Sequence, residues 1–277
     1  MQRGVLYMLT GTAHAVQLCV SLRSLRYHWL GPVAIVAGCP ESHALAVRMA
    51  QDARAGRVDV IRWDAPRQRN AGYANKSELP KLSPYQQTAF LDADTLVAGD
   101  IEPIFPQQEG ELVLTQFAEW VSTGRKMRRR IDAWRDAAPR DVDRMLKQPW
   151  PAINTGVIGF DKLAPFALRW KELCRLRQSF ICDELAMQLL FPDFQTRVLS
   201  QVYNASPTYS PRLLTGGAVV WHGHGSRFVR DNSSGAGPRL WMPHYRKAIE
   251  ENFGGLAEWT PAGDSCLAEY LQKKGAA

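Results

Sequence analysis

The stretch Gln87-Thr88-Ala89-Phe90-Leu91-Asp92-Ala93-Asp94-Thr95-Leu96-Val97 decides how the rest of the chain folds. It has the form of a short apolar strand that ends in two carboxylates. Asp92 and Asp94 are two positions apart, so in extended chain their side chains point to the same side. Like charges held that close repel, and burying either without a partner is costly. A divalent cation at the carboxyl end of the strand removes both problems, and hard oxygen ligands suit magnesium or manganese. An acidic turn after a buried strand would give the same letters, so the flanking sequence has to decide.

Outward from this stretch, strands and helices alternate. Residues 5–9 form a short apolar run, and Thr10-Gly11-Thr12 breaks it. Val16, Cys19, Val20, Leu22 and Leu25 then recur at helical spacing. Residues 33–37 predict a second buried strand, residues 41–55 a helix, and residues 58–63 a third strand. Such alternation predicts an α/β fold with a mostly parallel sheet and helices on both faces. In such sheets ligands bind beyond the carboxyl ends of the strands, where Asp92 and Asp94 lie. Downstream, residues 101–105 look like a further short apolar element, and residues 112–115 and 153–160 predict strands. Residues 166–176 and 183–191 predict helices, with Asp183 as N-cap or first-turn residue of the second. Val219-Val220-Trp221 is a late strand that runs into His222-Gly223-His224-Gly225-Ser226-Arg227.

Two segments interrupt the pattern. Residues 120–150 form a basic helical insertion carrying Arg125-Lys126-Met127-Arg128-Arg129-Arg130, and residues 240–277 a helical tail. A charge run of this kind is either a solvated face or a contact for phosphate, acceptor or a membrane surface. No internal repeat and no linker divides the chain, so residues 1–277 are expected to form one domain.

Composition narrows the partners. With 277 residues, 45% hydrophobic and 22% charged, the chain is long enough and apolar enough to bury a sizeable core. A net charge of +7 favours anionic partners such as nucleotides, phosphates or acidic membrane surfaces. The five cysteines, Cys19, Cys39, Cys174, Cys182 and Cys266, are scattered and never spaced C-x-x-C. That argues for free thiols in a reducing compartment and against a zinc knuckle or a disulfide framework. With no long apolar signal core and no run of membrane-span length, a soluble cytoplasmic protein is expected.

Four motifs, taken in order, resemble the family 8 glycosyltransferases, the glycogenin-like enzymes of GT-A fold. They are Lys76 with Tyr85 leading into L-D-A-D-T-L-V and I-x-x-I-F, then Asn154-Thr155-Gly156-Val157, then Asp183-Glu184, then His222-x-x-Gly225. The resemblance spans most of residues 5–228. It departs from the family where Glu184 replaces a glutamine, where Arg227 is the basic residue after Gly225, and where His14 is the nearest residue to the family's base-stacking tyrosine. It implies a nucleotide-sugar donor, UDP-linked, and transfer to an acceptor with retention of anomeric configuration. The acceptor class stays open among a glycan, a lipid-linked sugar, a protein and a small molecule.

The resemblance also assigns residues. Manganese or magnesium would be held by Asp92, Asp94 and His222, with His224 as the alternative. Lys76, Arg227 and Gly225 would meet the phosphates or sugar, and Thr10 and Thr12 the base or ribose. Ala93, Thr155 and Gly156 complete the donor site, and Asp183, Glu184 and Asn154 face the reacting sugar. The basic insertion would serve the acceptor or touch a membrane surface, and no nucleic-acid partner is expected.

Two other functions are compatible with parts of the sequence. L-D-A-D-T-L also resembles the signature of haloacid-dehalogenase-type phosphatases, with Asp92 as nucleophile and Asp94 as acid. That signature normally follows the first strand, and here earlier strands are expected. The other is a non-catalytic module that binds nucleic acid or anionic lipid through the basic insertion, although no aromatic-interleaved nucleic-acid motif is present.

Overall fold

A computed structural model describes residues 2–66, 71–224 and 236–258. In chain order the elements are β1 (Arg3–Leu9), α1 (Ala15–Leu25), β2 (Val33–Ala37), α2 (Pro40–Gln51) and β3 (Val58–Arg62). Next come α3 (Ala71–Asn75), α4 (Leu79–Leu82), β4 (Gln87–Leu91), β5 (Thr95–Val97) and β6 (Leu112–Val121). They are followed by α5 (Arg125–Asp132), α6 (Pro139–Lys147), β7 (Pro151–Asp161), α7 (Phe166–Leu176) and α8 (Cys182–Leu190). β8 (Thr196–Leu199), β9 (Val220–His222) and α9 (Ala236–Glu250) complete the described elements.

Seven strands form one sheet in the order β3-β2-β1-β4-β7-β6-β8. β7 alone runs against the others: it pairs antiparallel with β4 and β6, and the remaining pairs are parallel. Helices cover both faces. Val5, Tyr7 and Leu9 of β1 point into one apolar layer with α1 and α9 residues, and Leu6 points into the other with residues of α5 to α8. Strands covered on both sides have no polar face, which is why β2 is buried at all five positions and reads as a continuous apolar run. Each aliphatic side chain so buried stabilises the fold by about 1.5–3 kcal/mol.

The chain path creates a switch point. From β1 it winds outward to β2 and β3, then returns to lay β4 on the other side of β1. Carboxyl ends of β1 and β4 therefore adjoin where the winding reverses, the place at which open α/β sheets bind ligands. β5 and β9 form a separate two-stranded antiparallel sheet, with Thr95 opposite His222. This small sheet carries the late histidine back to the end of β4. The strand expected over residues 219–221 is shifted by one residue, and β8 is an edge strand with only half-buried positions that offers no apolar run to detect.

Two expectations are corrected. The strand ends at Leu91, and Asp92-Ala93-Asp94 is a turn. Both the amide and the hydroxyl of Thr95 donate to the Asp92 carbonyl, at 3.2 and 2.8 Å. The two carboxylates are gathered by this turn, not by strand alternation. The 101–105 segment is a 3₁₀ turn whose Ile104 carbonyl lies so close to β7 that a Cβ on Gly159 would be 1.7 Å from it. Backbone cannot give way at that distance, so glycine is required there.

The 120–150 insertion is helical as expected, but its ends belong to β6 and to the approach to β7. α5 and α6 are not simply solvated. Met127, Ile131 and Trp134, with Val142 and Met145, are buried and join the core against α8. The tail is helical through α9 and a 3₁₀ turn over Phe253–Glu258, and residues 259–277 lie outside the described ones. No helix among the described residues is long and apolar enough to cross a membrane.

Candidate active site

At the carboxyl end of β4, Asp92, Asp94 and His222 each offer a ligand atom, and these atoms lie within 4.8 Å of one another. His222 Nε2 is 3.4 Å from Asp92 Oδ2 and 3.3 Å from Asp94 Oδ1. Its other nitrogen, Nδ1, donates to Asn204 Oδ1 at 2.8 Å, which aims Nε2 at the carboxylates. Gly156 makes the seat for this ring, since a Cβ there would meet His222 Cε1 at 2.1 Å. The Gly156 carbonyl also accepts from the Asp92 amide at 2.7 Å, locking β7 to the turn. His224 packs against His222 with the rings tilted and their centroids 4.0 Å apart, but it is not one of the three converging groups.

Lys76 binds the second half of the site to the first. Its ammonium donates to Asp92 Oδ2 at 2.7 Å and lies 3.3 Å from Asp183 Oδ2. Asp183 stands in the first turn of α8, and its N-cap position is taken by Ile181 in the left-handed region. Thr155 Oγ1 donates to Asp183 Oδ2 at 2.7 Å, while Asp183 Oδ1, also buried, has no hydrogen-bond partner. Beside it, Asn154 Nδ2 donates to Glu184 Oε2 at 2.7 Å. Arg130 reaches in from α5 to within 3.6 Å of Glu184 Oε1, whereas Arg128 and Arg129 stay exposed.

Burial and pairing set the charges. Burial would raise the carboxyls of Asp92 and Asp94, but Lys76 and His222 at Asp92, and His222 with His14 and His224 at Asp94, more than offset it and hold both below the usual range. Burial would lower His222, and the two aspartates push it up to about 9. Lys76 is likewise held above its ordinary value, against burial, by Asp92, Asp183 and Asp94. Glu184 goes the other way: burial and the neighbouring Asp183 push it up to about 7, which Arg130 only partly opposes.

The residues fit a divalent cation. Two ionised oxygens and an imidazole nitrogen converge on one point, and the imidazole is oriented by an outer partner. Lys76 faces Asp92, and His222 faces both aspartates, at ion-pair distance.

Most of the residues expected from the sequence are brought together here. Lys76, Asp92, Asp94, Asn154, Thr155, Gly156, Asp183, Glu184 and His222 form one connected network, with Ala93 buried between the aspartates. Thr10 and Thr12 follow the end of β1, on the same side of the sheet. Gly225 and Arg227 lie outside the described residues. Asn204 is the residue that the sequence did not point to. It also donates to Asn154 Oδ1 at 3.0 Å and Thr115 Oγ1 at 2.8 Å, and a lone asparagine in a loop carries no signal for that role. A cleft of about 400 Å³ lies at the opposite end of β4, but it is lined by the Arg3–Glu102 ion pair and has no convergent ligand set.

The dehalogenase-type alternative is not matched by the topology, because the aspartates follow the fourth strand of the chain and that strand borders an antiparallel neighbour. Within the basic insertion, Arg135 and Arg144 are paired with Asp132, Asp143, Asp141 and Asp193.

No family model matches the sequence, and a search of curated proteins finds no match. Solved structures do match. The galactosyltransferase LgtC, in complex with donor and acceptor sugar analogues, is 12% identical with a TM-score of 0.63, over 88% of this chain and 95% of that one. An active-site glutamine-to-glutamate mutant of LgtC matches with a TM-score of 0.60 at 12% identity, over 88% of this chain and 95% of that one. The glycosyltransferase GlyE of Streptococcus pneumoniae is 15% identical with a TM-score of 0.59, over 92% of this chain and 64% of that one. The chain therefore has the GT-A glycosyltransferase fold.

Proposed function

We propose that the protein is a metal-dependent glycosyltransferase that takes a sugar from a nucleoside-diphosphate donor, UDP-linked, and transfers it with retention. The observation that carries this is the convergence of Asp92, Asp94 and His222 at the switch point of a sheet whose fold is shared with glycosyltransferases. Asp92, Asp94 and His222 would hold manganese or magnesium, which as a Lewis acid supplies neutralisation of the departing diphosphate. Lys76 adds a fixed ammonium beside Asp92, placed for a charge-assisted bond to a donor oxygen. Thr10 and Thr12 serve the nucleoside, and Ala93, Thr155 and Gly156 shape the floor under it. Gly225 and Arg227 are assigned to the donor from the sequence alone.

Asp183 is the carboxylate beside the sugar. One of its oxygens is engaged by Thr155 and Lys76, and the other is left for substrate. A fixed negative charge there stabilises an oxocarbenium-like centre as the sugar leaves its phosphate. Asn154 and Glu184 orient hydroxyls at the same centre. The whole chain acts as one GT-A domain, with α5 and α6 as an insertion on the acceptor side. A cytoplasmic setting is supported by the four described cysteines, all free thiols.

The test is a panel of nucleotide sugars with manganese, read by nucleoside-diphosphate release and thermal shift, with product configuration followed by proton NMR. Metal-dependent release from one donor is the expected result. No release and no shift with any donor would overturn the proposal.

A further inference from the structure

Between α5 and the start of α8, on the acceptor side proposed above, lies a recess of about 270 Å³. Its wall carries three guanidinium groups, Arg129, Arg130 and Arg177, with Ser179 beside them and no carboxylate in the lining. Trp134 is buried in its floor, and Phe180 stands 64% exposed at its lip. Ile181 and Leu185, which complete one side, flank Asp183 and Glu184 on α8, so recess and site share a wall.

Charge at this place is built and left open. Arg135, Arg144 and Arg169 of the surrounding helices each face an aspartate. Arg129 and Arg177 face no carboxylate among the described residues. Arg177 is steadied by donating to the Ala133 carbonyl at the end of α5. Arg130 is held between Glu184, at 3.6 Å, and the ring of Trp120, 5.7 Å away. Guanidinium groups fixed this way match the planar fork of a carboxylate or the oxygens of a phosphate. Aromatic surface beside such a cluster suits the face of a sugar ring. The volume admits one sugar unit or its substituent, not an extended chain.

We propose that this recess binds an anionic group, a carboxylate or a phosphate, on the acceptor saccharide, with Arg129, Arg130 and Arg177 as its ligands. That the anion belongs to an acceptor rests on the glycosyltransferase function proposed above, whereas the anion site itself does not. The same geometry gives Glu184 a second role, since it draws Arg130 toward the reacting centre and so aligns the recess with it.

The experiment is calorimetric titration without donor, in EDTA and at low salt, with glucose, glucuronate and glucose 6-phosphate as probes. At least one anionic probe should bind about tenfold or more tightly than glucose, and comparison of the two tells carboxylate from phosphate. Arg129→Glu, at an exposed position that costs the fold little, should weaken that binding about tenfold or more, while Arg128→Glu, outside the recess, should leave it unchanged. Equal binding of glucose and the anions, or equal loss in both variants, would overturn the site. Sedimentation with vesicles containing about one-fifth phosphatidylglycerol tests the competing source of anions. Vesicle binding lost in Arg129→Glu, with no binding of either anionic sugar, would also overturn it and assign the face to a membrane. If the probes bind through Arg129 but no nucleotide sugar is ever turned over, the anion site stands and the glycosyltransferase function falls. If donor hydrolysis is normal and the probes do not bind, the reverse holds. With both intact, Arg129→Glu lowers transfer to the anionic acceptor and leaves donor hydrolysis unchanged.

Discussion

Two clusters of acids lie side by side in this molecule and end in opposite states. Asp92 and Asp94 are buried together yet held below the usual carboxylate range, because Lys76 and His222 face Asp92 and His222 faces Asp94. Asp183 and Glu184 are buried in the next layer, and there Glu184 is pushed up to about 7. The difference is the number and distance of cations. Lys76 is 2.7 Å from Asp92 and 3.3 Å from Asp183, and Arg130 stops 3.6 Å from Glu184. Carboxyl groups thus serve two ends, a permanently ionised ligand pair and an acid poised near neutrality, and environment makes the choice.

The largest effect on this contrast comes from removing a ligand of the ionised pair. Asp94→Asn deletes the charge that faces His222 most directly and should lower turnover by about a thousandfold, on the order of 4 kcal/mol. Wild type with manganese and UDP at about 100 times the dissociation constant should gain about 2.7 kcal/mol of stability, and the variant should lose most of that gain. A full manganese-dependent thermal shift in Asp94→Asn would remove the distinction between the two clusters.

Next is the acid in the second cluster that keeps a free oxygen. Asp183→Asn should cut turnover about a hundredfold, about 2.7 kcal/mol, with donor affinity nearly unchanged. The amide still accepts from Thr155, so packing survives while the charge is lost. A fall of less than about tenfold, with a drop in melting temperature, would reduce Asp183 to a first-turn residue that organises Thr155 and Lys76.

How much of this contrast is legible in the sequence differs between the clusters. The parallel half of the sheet is legible because it is buried on both faces: Val33–Ala37 reads as one apolar run and is one strand. Asp92 and Asp94 are legible as a pair, but strand alternation is the wrong reason, since a turn closed by Thr95 joins them. His222 needs the motif register to be preferred over His224. β5 and β9 are missed or misplaced because three residues of strand carry almost no periodicity. Arg130 is one of three equivalent letters in a basic run, and only the inward turn of α5 separates it from Arg128 and Arg129. Pairings that join residues 130 and 184, or 204 and 222, arise from long-range packing and leave no local pattern.

Glu184 gives the contrast a pH signature. Its folded carboxyl titrates near 7 and its ordinary value is 4.5, so the folded state binds the proton more tightly than the unfolded chain. The stabilising contribution is therefore present below the unfolded value and is lost as pH rises through about 7. Between about pH 5 and pH 8 the chain should lose about 2 kcal/mol from this group. Glu184→Gln keeps the shape and the contact with Asn154 but has no proton to lose, so the difference between urea midpoints at the two pH values should shrink by this amount, leaving the part that His222, pushed up to about 9, loses over the same range. Persistence of the full slope in Glu184→Gln would place its origin in another group.

The smallest expected effect falls on the residue that touches both clusters. Asn204 accepts from His222 Nδ1 at 2.8 Å and, through its amide nitrogen, donates to Asn154 Oδ1 at 3.0 Å. It orients the imidazole of the first cluster and steadies the asparagine that holds Glu184 in the second. Outer partners of this kind are worth about ten- to a hundredfold in metal affinity, and the low end, about 1.4 kcal/mol, is expected here because Gly156 still shapes the ring's seat. Asn204→Ala should weaken manganese binding about tenfold, with turnover recovering at saturating metal. Asn204→Asp separates the two roles, because a carboxylate still accepts from Nδ1, and so restores metal affinity, but cannot donate to Asn154. Its deficit should then emerge on the sugar side, as a change in the pH dependence set by Glu184. Should Asn204→Asp lose manganese as badly as Asn204→Ala, the Nδ1 hydrogen bond is not what aims His222, and the coupling between the clusters runs through Lys76 alone.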